Sequence, residues 1–141
     1  YLARNPLKMV PSYASLSAHW WRMFAEPDQR YPHTEYILRS TQHWYRYPVE
    51  RLEEAPEDSR ALVNFHELVA DPQKIVAEIY TQLGLETSAE FAKILEEETE
   101  KAHHHRTDHQ YSLEGVGFTK EQILTAFQDV YERWGFDRDI E

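Results

Sequence analysis

"YLARNPLKMVPS", residues 1–12, places a strand end, a helix start and two candidate anion ligands in one short stretch. Tyr1, Leu2 and Ala3 read as the tail of a buried strand. Asn5 then suits an N-cap, because its side-chain oxygen accepts from backbone N–H groups of the coming turn. Pro6 suits the first helical position, where no N–H is needed. Arg4 lies between the two elements, with a planar fork matched to phosphate oxygens. The helix start is expected to add free backbone N–H groups and a positive dipole end, a ready anion site. Ser12 contributes a hydroxyl if a kink at Pro11 turns it toward the same point. The spacing also suits an Arg4 paired with a carboxylate and a Ser12 that is simply exposed, and the residues alone leave both open.

Downstream, Met9, Tyr13, Leu16, Trp20 and Phe24 recur at steps of three and four, with Lys8, Ser12, Ser15, His19 and Arg22 on a second stripe. This predicts one helix over residues 7–24 with the first stripe inward. Trp20 and Trp21 read as core and lid packing, and His19 as exposed or facing an acceptor hydroxyl. A second helix is expected over His33 to Glu54, broken or bent at Pro48, followed by a polar turn at "APEDSR". "ALVNF", residues 61–65, suits a central strand. Asp71 and Pro72 open a helix carrying Ile75, Val76, Ile79, Tyr80 and Leu83, stopped by Gly84. Another helix, Ser88 to Lys101, turns Phe91, Ile94 and Leu95 inward and leaves "EEETE" to solvent. After a polar loop, Thr119 and Gln122 form a capping box for a last helix lined by Ile123, Phe127, Val130 and Trp134 and ended by Gly135.

The expected class is therefore helix-rich α/β with about two parallel strands. Two short strands make no stable sheet alone, so further strands of a larger parallel sheet are expected upstream of Tyr1. At 141 residues the chain is one domain at most. Fifteen basic against 25 acidic side chains leave a net charge of −10, which argues against nucleic acid or an anionic membrane as partner. Residues 1–25 nevertheless hold Arg4, Lys8 and Arg22 and no carboxylate, which suits a segment reserved for an anion and equally a buried segment that lacks acids by chance. No apolar run reaches membrane-spanning length, and the absence of cysteine fits a reducing, cytoplasmic compartment.

"RNPLKMVPS", a strand, "FHELVADP" and a helix ending "YTQLGL", in that order, resemble the C-terminal half of sulfotransferases that use 3′-phosphoadenosine 5′-phosphosulfate (PAPS), especially bacterial members. "HQYSLEGVGF" before the last helix resembles the same family. The resemblance implies a P-loop NTPase-like sulfotransferase fold, with residues 1–141 the C-terminal part of a single domain. It implies transfer of a sulfuryl group from PAPS to an acceptor hydroxyl or amine on a small molecule, without a metal. Arg4 and Ser12 would hold the donor's 3′-phosphate. Phe65, at the end of the strand where the family commonly has tyrosine, would lie by the adenine without a hydroxyl hydrogen bond. Arg106 and His109 fall where family members place a basic loop that closes over the nucleotide. The family's 5′-phosphosulfate loop has no counterpart here, the chain holds only four glycines, and the base of related enzymes usually precedes the arginine. The stretch is expected to be inactive alone.

His103, His104, His105 and His109, with Asp108, form a histidine cluster that reads as a solvated polar loop, with nucleotide contact or zinc binding as alternatives. Two other classes of function therefore stand beside the enzyme: a helical protein-interaction module built on the aromatic helices, and a His-cluster metal-binding domain. The acceptor and the oligomeric state leave no trace in the sequence.

Overall fold

The computed structural model describes residues 1–25, 32–104 and 112–139, with backbone alone at 102–104. The chain forms two compact units, Tyr1–Arg4 with Tyr47–Asp108, and Asn5–Arg46 with His109–Glu141.

The first unit is built on two short strands, β1 (Leu2–Ala3) and β2 (Val63–Asn64), which pair in parallel with Leu2 opposite Val63 and Ala3 opposite Asn64. Helix α3 (Phe65–Ala70) follows β2 without a linker, because the Asn64 side chain accepts from the His66 N–H and caps it at once. The expected strand over residues 61–65 is thus shorter, and Phe65 begins a helix instead of ending the strand. Helix α4 (Pro72–Gln82) has the expected cap, with the Asp71 carboxylate accepting from the Lys74 N–H. Its end is a Schellman motif: Gly84, at φ +64°, lets the Leu85 N–H reach the Tyr80 carbonyl while its own N–H reaches Thr81. Helix α5 (Ala89–His104) packs on α4, where Tyr80 and Phe91 stack with centroids 4.9 Å apart. Phe91 and Leu95 are half-buried, whereas Ile94, expected inside, is exposed. The backbone of α5 also continues through His103 and His104, two residues expected in the loop.

The second unit holds most of the buried apolar side chains. Helix α1 (Pro6–Phe24) runs unbroken through Pro11. It buries Leu7, Val10, Pro11 and Ala14, not the expected stripe: Met9 and Tyr13 are half-buried, and Leu16, Trp20 and Phe24 are exposed. Apolar residues surround this helix on most sides, so its period allows several inward faces. The helix contacts α6 (Lys120–Ala126), and the face it buries is the one with the smaller side chains. Helix α2 (Thr34–Glu53), which belongs to this unit through Arg46 and to the first unit from Tyr47, continues through Pro48 without a break and buries Ile37, Thr41, Tyr45 and Val49, one residue per turn. Tyr45 meets Phe127 edge to face at 5.4 Å. Arg46 grips Asp129 through two hydrogen bonds, of 2.7 and 2.9 Å, and donates to the Ala126 carbonyl. The expected last helix is two, α6 and α7 (Gln128–Trp134), interrupted at Phe127 (φ −119°, ψ 23°). The Thr119–Gln122 capping box forms as expected, and Gly135 closes α7 at φ +61°. No helix among the described residues is long and apolar enough to cross a membrane.

Candidate functional site

The parallel register of β1 and β2 decides which side chains meet. Ala3 lies opposite Asn64, so the next residues of each chain, Arg4 and Phe65, leave the sheet side by side. Parallel strands present their carboxyl ends at one edge, the place where ligands of α/β sheets gather. There the Arg4 guanidinium carbon lies over the Phe65 ring, 5.1 Å from its centroid. Arg4 is exposed and Phe65 half-buried, while Ala3 immediately before is fully buried and anchors the strand end. A guanidinium over an aromatic face gains cation–π attraction while its N–H donors stay in its own plane. Phe65 thus stands next to Arg4, on the first turn of α3. The local signal for the early helix start is Asn64 followed at the third position by Glu67.

In the second unit, Asn5 does cap α1, but the expected row of free donors is absent. The Leu7 N–H bonds the Asn5 side chain, and the Lys8 and Met9 N–H groups both bond the Asn5 carbonyl at 3.0 Å. Pro6 has no N–H to offer. The cap thus consumes the donors of the first turn, leaving the dipole and the absence of any acid in that turn to favour an anion. Asn5 is itself held by the Tyr131 hydroxyl, which donates to its Oδ1 at 3.0 Å, and it donates to the Asp137 carbonyl at 2.7 Å. Burial pushes the Tyr131 phenol up to about 12. The Arg138 guanidinium lies over the same ring at 5.4 Å.

Ser12 is half-buried on α1, in the second unit, while Arg4 and Phe65 belong to the first. His19 is exposed and meets Trp20 edge to face at 6.2 Å. Trp20 is 52% exposed, against the expected packing, and Trp21 is half-buried with its ring edge-on to His33. Arg106, His109, His105 and Asp108 lie outside the described residues, as do the side chains of His103 and His104. Among the described residues, no three His, Cys, Asp or Glu side chains gather to hold a metal ion.

Comparison with known proteins matches the chain to a family. The model of the Sulfotransferase family matches residues 1–89, a span that includes Arg4, Ser12 and Phe65. No curated protein matches the sequence. The crystal structure of sulfotransferase STF9 from Mycobacterium avium shares the fold, with a TM-score of 0.74 at 19% identity. The likeness covers 99% of this chain and 35% of that one, so the chain spans about a third of its length. A strand–Arg–helix opening and a parallel partner strand, within a family match covering more than half the residues, lead to one conclusion: the chain belongs to the sulfotransferase family.

Proposed function

We propose that this protein transfers a sulfuryl group from PAPS to a hydroxyl or amine of a small-molecule acceptor, in the cytoplasm. Residues 1–141 supply the 3′-phosphate side of the donor site within a P-loop NTPase-like fold. The observation that carries the reading is the pairing of Arg4 with Phe65 at the carboxyl ends of two parallel strands, inside the span that matches the family. The donor brings the activated sulfuryl group. Arg4 binds the 3′-phosphate through charge-assisted hydrogen bonds, which are the strong ones, and so orients the nucleotide without touching the reacting sulfur. Ser12 adds a hydroxyl donor to the same phosphate on the strength of the motif. Arg106 and His109 are further candidate contacts to the nucleotide on the strength of the resemblance. By analogy with phosphoryl transfer, the chemistry then rests on positioning and charge stabilisation. No 5′-phosphosulfate loop is present in the 141 residues, so this stretch alone is expected to give no turnover.

The test is isothermal calorimetry of the full-length protein with adenosine 3′,5′-bisphosphate, the product nucleotide. Loss of a hydrogen bond to a charged group costs about 1.5–3 kcal/mol, so Arg4→Ala should weaken binding roughly tenfold to 150-fold. Unchanged affinity would remove Arg4 from the site. Measurable sulfuryl transfer by the 141-residue chain would overturn the division of labour.

A further inference from the structure

We propose that Phe65 is a positioning residue for Arg4, holding its guanidinium at the sheet edge in the orientation that receives a 3′-phosphate. The proposal rests on the donor-site reading above and goes beyond it, because it gives the aromatic at this position a task other than contact with the base.

The argument begins with the conformational freedom of arginine. An exposed arginine samples many rotamers, and binding through it costs the entropy of fixing one of them. Arg4 is exposed and directly follows β1. The Phe65 ring lies 5.1 Å from the guanidinium carbon and offers its face. An aromatic face attracts the cation and fixes the plane of the fork, and the N–H donors lie around that plane, where phosphate oxygens approach.

The ring in turn is well held. Phe65 is the first residue of α3, its backbone begins directly from the β2 pairing, and the Asn64 side chain closes the first turn through the His66 N–H at 2.9 Å. The register does the rest, since Ala3 opposite Asn64 makes Arg4 and Phe65 neighbours by backbone geometry alone. The arrangement needs a flat π-face at residue 65 and makes no demand for a hydroxyl. That accounts for a phenylalanine here, where loss of a hydroxyl would matter to a residue working by hydrogen bonds.

The experiment compares two nucleotides that differ only in the 3′-phosphate, adenosine 3′,5′-bisphosphate and adenosine 5′-monophosphate, by calorimetry on the full-length protein. The readout is the ratio of the two dissociation constants. Phe65→Leu should reduce the preference for the bisphosphate by about two- to fivefold, the worth of an exposed cation–π contact, while monophosphate binding stays unchanged. Phe65→Tyr, which keeps the face, should retain the wild-type ratio. In an Arg4→Ala background, Phe65→Leu should have no further effect on the ratio. If Phe65→Leu weakens both nucleotides equally, the ring serves the adenine and the proposal is overturned, with Arg4's role intact. An unchanged ratio in Phe65→Leu overturns it as well. A wild-type protein that does not prefer the bisphosphate, or an Arg4→Ala protein that keeps the preference, instead overturns the donor-site reading on which the proposal stands. Should Phe65→Leu fail to fold by thermal melting, Phe65→Met, flexible and without a ring, gives the same readout with the same outcomes.

Discussion

Asn5 offers the sharpest test of how the start of α1 is held. Its Oδ1 accepts from the Leu7 N–H and from the Tyr131 hydroxyl, both at 3.0 Å, and its Nδ2 donates to the Asp137 carbonyl at 2.7 Å. Replacing Asn5 by Ala removes all three. Loss of the cap costs about 1 kcal/mol. The Tyr131 hydroxyl, on a residue only 2% exposed, then loses its acceptor, which adds about 1–2 kcal/mol. The bond to Asp137 is exposed and adds the lower end of the usual net value, about 0.5 kcal/mol. The expected destabilisation is therefore about 2.5–3.5 kcal/mol, read as a lower urea midpoint at unchanged slope. Asn5→Asp keeps both acceptor roles and loses only the donor, so it should stay within about 1 kcal/mol of wild type. Tyr131→Phe should cost less in the Asn5→Ala background than in wild type, with a coupling of about 1 kcal/mol, because the two side chains share one bond. A cost for Asn5→Ala below about 0.5 kcal/mol, the size of an ordinary surface change, would refute the reasoning. So would an Asn5→Asp protein as unstable as Asn5→Ala.

Two further expectations concern pH. The Arg46 hydrogen bonds hold the Asp129 carboxyl below its ordinary value, so the pair's contribution is present above the usual carboxylate pKa of about 3.9 and is lost as pH falls through the lowered value. Both side chains are substantially exposed, which limits the effect to about 1 kcal/mol. Asp129→Asn should flatten the acid limb of the stability–pH curve, and an acid limb identical to wild type would exclude the pair from acid stability. Burial raises the Tyr131 phenol to about 12, so its contribution is complete below the ordinary value of about 10 and fades as pH rises through about 12. An ultraviolet titration should show a late-ionising tyrosine that Tyr131→Phe lacks; superposable titrations would contradict the burial argument.

Local chemistry alone determined the ends of the elements. The Asn5 cap before Pro6, the Asp71 cap with its Gly84 stop, the Thr119–Gln122 box and the Gly135 stop each involve residues within a few positions of one another, and each forms as read. The order of strand, arginine and helix was legible for the same reason, and with it the family. Tertiary structure decided which faces are buried. Helix α1 carries apolar side chains on several sides, and only tertiary packing buries Leu7, Val10 and Ala14 while Trp20 and Phe24 stay exposed. It also decided that α2 continues through Pro48, since packing can outweigh one missing backbone bond, and that the last helix is interrupted at buried Phe127. At the candidate site the same division holds. Arg4 stood out by residue type, but its partner Phe65 lies 61 positions along the chain. Only the pairing of Ala3 with Asn64 brings the two together, because strand register is set by contacts between distant segments that no local pattern encodes.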